Sequence, residues 1–158
     1  MRVLLIIPLS GCLTVYHSVQ AGWIAGNDGD GGRAHGGMVT YQMCIAPDDE
    51  NFSISTGAQS WMLNREDAYS FDLTGGINLW TDPFQEAPIG LQTEGRLLIP
   101  FNGPGIPMGI ALRGGPYIGD EAVRGTLMLH SQASLPATPI FQWGTLAGIR
   151  WEVGALRE

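Results

Sequence analysis

From Ala68 to Trp80, apolar and polar positions alternate with a period of two. Tyr69, Phe71, Leu73, Gly75, Ile77 and Leu79 fall on one face, and Ser70, Asp72, Thr74, Gly76 and Asn78 on the other. Adjacent side chains of a strand point to opposite sides, so this spacing predicts a strand with two chemically distinct faces. The pattern recurs along the chain. Val39, Tyr41, Met43 and Ile45 alternate with Thr40 and Gln42. Ile89, Leu91, Leu97, Ile99 and Phe101 oppose Gln92, Glu94 and Arg96. Met108, Ile110 and Leu112 alternate with Gly109, Ala111 and Arg113; Leu127 and Leu129 with Arg124, Thr126, His130 and Gln132. Near the end, Phe141, Trp143, Ala147, Ile149, Trp151 and Val153 oppose Gln142, Arg150 and Glu152. Helical periodicity is nearly absent.

Turn-forming clusters separate these runs: Pro47-Asp48-Asp49-Glu50, Asn64-Arg65-Glu66-Asp67, Thr81-Asp82-Pro83, Asn102-Gly103-Pro104-Gly105, Gly119-Asp120-Glu121 and Pro136-Ala137-Thr138-Pro139. Most are short, as hairpin connections are. Leu13 to Ile24 is expected to add a first strand, followed by the longest loop, Gly26 to Gly36. Phe52 to Leu63 is a less regular strand whose apolar face switches midway, which points to a bulge or a different register. The expectation is an all-β fold: an antiparallel up-and-down meander closing into a β-barrel of about eight strands. Residues 12–158 then form a single β-barrel domain.

Alternation alone does not say which face meets which medium. A water-soluble barrel hides its apolar face, and a membrane barrel displays it. Several strands reach about 11–13 residues, longer than the usual strand and enough at about 3.3 Å per residue to cross an apolar band about 25 Å tall. The polar face carries Asp72, Glu94 and Glu152 against Arg96, Arg113, Arg124 and Arg150, with His130 beside them. In a narrow lumen, arginine forks and carboxylates can satisfy one another, so these residues form the expected lumenal polar network. On a soluble protein the same residues would be a solvated face. Trp23, Tyr69, Phe101, Tyr117, Phe141 and Trp151 near strand ends fit interfacial girdles.

On this pattern, residues 13–154 resemble the small eight-stranded outer-membrane β-barrels of Gram-negative bacteria. The final strands of that family often carry an assembly signal of the form polar-x-Gly-x-x-aromatic-x-hydrophobic. Gly148-Ile149-Arg150-Trp151-Glu152-Val153 supplies most of it. Leu146 stands where a polar residue is expected, and the chain runs on to Glu158 rather than ending on an aromatic. The resemblance implies outer-membrane lipid as the main partner, with other envelope proteins as further partners.

The chain opens Met1-Arg2-Val3-Leu4-Leu5-Ile6-Ile7-Pro8-Leu9-Ser10-Gly11-Cys12. A basic residue, a short apolar run and small residues have the form of an export signal over residues 1–11. Leu9-Ser10-Gly11-Cys12 resembles the lipobox of bacterial lipoproteins, which implies cleavage before Cys12 and acylation of its thiol. The apolar run is at or below the usual signal length of about 7–15 residues. A non-lipidated export signal or an ordinary buried strand are the alternative readings. If Cys12 is acylated, Cys44 has no intrachain cysteine partner; otherwise a Cys12–Cys44 disulfide is allowed in an oxidising compartment.

Composition narrows the function. All eight basic residues are arginine, and the net charge is −7, which argues against nucleic acid as a partner. Members of the outer-membrane lipid A deacylase family use a His-x-Ser motif. Here the residues are His130-Ser131-Gln132, so histidine and serine fall on opposite faces and glutamine stands at the serine position. His17 and His35 are isolated and form no metal cluster. Asn27-Asp28-Gly29-Asp30-Gly31-Gly32 has calcium-loop features but has Val39 at the position of the terminal glutamate. No phosphate-loop lysine follows the glycines.

No catalytic residue, metal ligand or cofactor site is therefore expected. The expected function is that of a non-enzymatic, lipid-anchored outer-membrane barrel with a structural or adhesion-type role. The alternative is a soluble lipid-anchored barrel or sandwich that binds an apolar ligand or an envelope partner. A lipid-modifying enzyme is the third reading.

Overall fold

The computed structural model describes residues 13–27, 32–47, 51–64, 69–81, 89–100, 108–120, 122–135 and 141–153. Cys12 with the segment 1–11, and most of the glycine-rich stretch 28–32, lie outside the described residues. Eight strands follow in order: β1 (Leu13–Asn27), β2 (Arg33–Pro47), β3 (Phe52–Leu63), β4 (Tyr69–Thr81), β5 (Ile89–Pro100), β6 (Met108–Gly119), β7 (Val123–Leu135) and β8 (Phe141–Val153). Each pairs antiparallel with the next, and β8 closes on β1. The result is a closed eight-stranded antiparallel β-barrel. Closure leaves no free sheet edge, so the backbone groups of every strand have a ladder partner on both sides.

The strands are strongly staggered. Following paired residues round the wall leads from Val15 to Ile45, Ile54, Ile77, Gly95, Leu112, Ser131, Trp143 and back to β1 at Asn27. One circuit is thus displaced by about 12 residues, and such a shear requires the strands to tilt steeply against the barrel axis.

The two faces of this wall are inverted relative to a soluble protein. Asp72 is 2% exposed while its neighbour Leu73 is 43% exposed. The same holds round the barrel: Gln20, Gln42, Gln59, Gln92, Glu94, Arg96, Arg113 and Arg150 are buried in the lumen, whereas Val39, Ile54, Ile77, Leu91, Leu112, Leu129 and Ile149 face outward. Among the described strand residues, Arg33, at one end of β2, is the one Arg, Asp or Glu on the outer wall. The outer wall also carries Trp23 and Trp143 towards one end and Trp151 towards the other.

Two glycines show how tightly this wall is drawn. A Cβ on Gly26 would lie 1.9 Å from the Trp143 carbonyl oxygen across the β1–β8 seam. Gly119 has φ of 136°, a backbone region that favours glycine. It leads into the tight β6–β7 connection, where the Asp120 carboxylate accepts from the amides of Ala122 (2.9 Å) and Val123 (2.8 Å).

Three expectations from the sequence change. The stretch Gly26 to Gly36 is not a long loop, because β1 continues to Asn27 and β2 begins at Arg33. Within it, Gly26 serves close strand approach rather than chain reversal. β3 has no bulge: its pairing with β2 and β4 keeps one register throughout. The apparent switch of face arises because Trp61, 4% exposed, points into the lumen. Tyr117 is also no girdle residue. It is buried, and its hydroxyl donates to the Thr81 carbonyl at 2.8 Å.

Candidate functional site: the lumenal charge network

The inward positions of β5, β6 and β8 bring three arginines onto one carboxylate. Glu94 lies on β5 and is fully buried. Its Oε1 accepts from Arg150 Nη1 at 2.9 Å and from Gln92 Nε2 at 2.6 Å. Its Oε2 accepts from Arg96 Nη2 and lies 3.7 Å from Arg113 Nη1. Arg96 reaches Glu94 from two residues along the same strand face. Arg150 reaches it across the lumen from β8.

Arg113 is held from three sides. Its Nη2 donates to Gln59 Oε1 on β3, and its Nε donates to His130 Nδ1 on β7 at 3.0 Å. The Nδ1 that accepts is unprotonated, so the ring is neutral with its proton on Nε2. Trp61 packs edge-on against that ring with centroids 4.9 Å apart, and the Arg113 guanidinium lies 5.8 Å from the Trp61 ring centroid. Gln59 Nε2 in turn lies 3.5 Å from Asp72 Oδ2.

The network continues towards the β6–β7 connection. Arg150 Nε is 3.0 Å from Glu152 Oε1, and Arg124 Nη1 is 3.6 Å from the same oxygen. Arg124 also lies over the rings of Tyr117 (5.0 Å) and Trp80 (5.9 Å), and its Nε donates to the Asp120 carbonyl at 3.1 Å. Apolar groups pack the lumen beside the charges: Ile24, Met38, Trp61, Met128 and Leu146 in one cluster, and Tyr16, Cys44 and Ala46 in another. Cys44 is a buried free thiol.

All eight polar residues singled out in the sequence lie on the inner face: Asp72, Glu94, Arg96, Arg113, Arg124, His130, Arg150 and Glu152. Glu94 gathers Arg96, Arg113 and Arg150, while Glu152 gathers Arg124 and Arg150. Sequence reasoning missed Gln59 and Trp61 as members, and it placed Gln92 on the polar face of its strand without counting it in the network. Gln59 and Trp61 share the inward parity of β3 with Ser53 and Ser55, which was the available signal.

His130 is engaged with Arg113, and Ser131 points to the opposite side of the wall, so the pair cannot act on one substrate atom. Among the described residues, no group of three His, Cys, Asp or Glu side chains is placed to hold a metal ion. On the outer wall, a groove of about 490 Å³ runs between Leu112, Leu129 and Trp143 over Thr93, Gly114 and Ser131. Its lining is mostly apolar, with Thr93, Ser131, Arg113 and His130 as its polar members.

No protein-family model matches the chain. No curated protein sequence matches it significantly. Solved structures share its architecture, among them the following two. The crystal structure of Neisserial surface protein A (NspA) superposes with a TM-score of 0.54 at 10% identity, covering 89% of this chain and 98% of that one. A barrel from the de novo design of transmembrane β-barrels superposes with a TM-score of 0.51 at 10% identity, covering 86% and 95%. At this identity the likeness is one of fold.

Proposed function

We propose that this chain is a non-enzymatic cell-envelope protein, a small β-barrel that resides in the outer membrane with its lumen closed by side chains. The carrying observation is the inverted wall: an outer surface of Val, Ile, Leu, Phe and Trp almost free of charge, around an interior of Arg, Glu, Asp and Gln. In water that outer surface is far beyond the apolar patch a soluble monomer carries. In lipid it is the expected exterior of a spanning barrel. A soluble barrel that binds an apolar ligand needs the opposite arrangement. The likeness of fold to a Neisserial surface protein and to designed transmembrane barrels supports the same reading.

The role that fits is structural or adhesive, exerted at the barrel ends and outer wall. We further assign a lipid anchor to Cys12, on the strength of Leu9-Ser10-Gly11-Cys12. Leu13 opens β1 and pairs with Pro47, so acyl chains on the preceding residue would be attached at the rim formed by the β1 start and β2 end. Two or three acyl chains on one residue give stable anchoring; with a spanning barrel they would act as a second anchor.

The test is migration on a gel without boiling. The detergent-extracted protein is expected in the membrane fraction and to shift in mobility only after heating. A protein released by carbonate, with one mobility at every temperature, overturns the membrane reading. Mass spectrometry of the mature chain tests the anchor separately: a diacyl or triacyl mass on Cys12 is expected, lost in Cys12→Ala. An unmodified cysteine refutes it without touching the barrel.

A further inference from the structure

The described lumen carries four guanidiniums, Arg96, Arg113, Arg124 and Arg150, against three carboxylates, Asp72, Glu94 and Glu152. The imbalance is greatest around Glu94, which three arginines share. Several of their donors are sealed from solvent yet find no hydrogen-bond acceptor among the described residues: Arg96 Nε and Nη1, and Arg150 Nη2. Arg113 Nη1 has only its 3.7 Å approach to Glu94. Arg96, Arg113 and Arg150 are 3% exposed or less.

From this geometry we infer that the lumen binds one monovalent inorganic anion of halide size, held by the free donors of Arg96, Arg113 and Arg150. Buried polar groups without partners call for an explanation, and an ion or a water are the two that the chemistry offers. Water can satisfy donors but leaves the surplus positive charge in a low-dielectric interior. A single monovalent anion does both. The site is also held in place before it is filled. Arg96 and Arg150 are fixed by Glu94, and Arg113 by Gln59 and His130. Little ordering cost is then left for the ion to offset. A divalent oxoanion would exceed the described surplus of one and repel the Glu94 carboxylate more strongly than a monovalent ion does, so chloride or bromide is the matching class.

The inference goes beyond the proposed function and does not depend on it, since it concerns the folded full chain in detergent. Unfolding in urea is followed by tryptophan fluorescence at constant ionic strength, with sodium gluconate replaced stepwise by sodium chloride. Chloride should stabilise the fold saturably, lowering the unfolding equilibrium constant about tenfold at ten times its dissociation constant. Arg96→Gln removes the surplus charge and part of the donor set, and its stability should no longer respond to chloride. Crystals grown in sodium bromide should show an anomalous peak within hydrogen-bonding distance of Arg96 and Arg150, a readout that stands even if Arg96→Gln fails to fold. Equal stability in gluconate and chloride overturns the inference. So does bromide found only on the exterior, or ordered water alone at the arginine donors.

Discussion

Replacing Glu94 by Gln tests the lumenal network most directly. The change preserves shape and removes one negative charge from a carboxylate that is fully buried and meets Arg96, Arg150 and Gln92 directly, with Arg113 at 3.7 Å. The amide retains one acceptor oxygen, but its NH2 group is turned towards guanidinium donors, and the described positive surplus in the lumen rises. At an effective dielectric near 20, one charge pair at about 4 Å is worth about 4 kcal/mol. Breaking a buried pair by removing one partner costs about 3–5 kcal/mol. Three guanidiniums share this one partner, so the upper half of that range is expected. A solvated ion pair would lose only about 0–1 kcal/mol. The assay is urea unfolding in detergent or lipid, followed by tryptophan fluorescence in halide-free buffer. The double variant Glu94→Gln with Arg96→Gln should recover part of the loss, because it removes one of the stranded charges. A loss below about 1 kcal/mol for Glu94→Gln would match the solvated range and refute an electrostatically closed lumen.

Leu73 and Thr74 are neighbours on opposite sides of the wall, 43% and 5% exposed. Leu73→Arg should cost about 2–4 kcal/mol by placing a charge on the lipid-facing side and should reduce the heat-modifiable fraction on gels, while a milder effect is expected for Thr74→Arg; equal loss in both would contradict the assigned facing. Gly26→Ala would bring its Cβ to 1.9 Å from the Trp143 carbonyl, whereas a Cβ on Gly37 meets nothing within 4 Å. Unfolding midpoints should therefore fall clearly for Gly26→Ala and change little for Gly37→Ala, and the reverse order would exclude the close β1–β8 approach.

The strand alternation made the wall readable from the chain alone. In β4 the parity that sets Phe71, Leu73, Ile77 and Leu79 apart from Asp72, Thr74 and Asn78 is the parity of outside and inside. What the sequence did not disclose is pairing across the lumen. Arg150 and Glu94 are 56 positions apart, and nothing local marks them as partners; their meeting follows from strand order, tilt and stagger together. Glycine misled in the opposite sense. Gly26 and Gly36 resemble loop residues in composition, yet both belong to strands, and at Gly26 the β1–β8 seam leaves no room for a Cβ. Trp61 was obscured because a large aromatic at an inward position of β3 breaks the simple rule of a polar lumen.

The cross-lumen contacts bear on what the barrel can do. Ladder hydrogen bonds join only neighbouring strands, and they resist sliding weakly where side chains on one face are uniform. Contacts between distant strands supply the missing constraint: Arg150 of β8 with Glu94 of β5, Arg113 of β6 with Gln59 of β3, Trp61 of β3 with His130 of β7. Shifting any of these strands by one residue would turn its lumenal side chains to the outer face and separate these pairs, so the network fixes register as well as filling space. The same contacts oppose conduction. A solute on the barrel axis must displace buried guanidiniums from the carboxylates that hold them, leaving buried charge unpaired. Arginine suits this task better than lysine, because one planar fork can hold two or three partners at once, as Arg113 does with Gln59, His130 and Glu94. A lumen closed in this way has room for nothing larger than a small ion and leaves recognition of larger molecules to the rims and the outer wall.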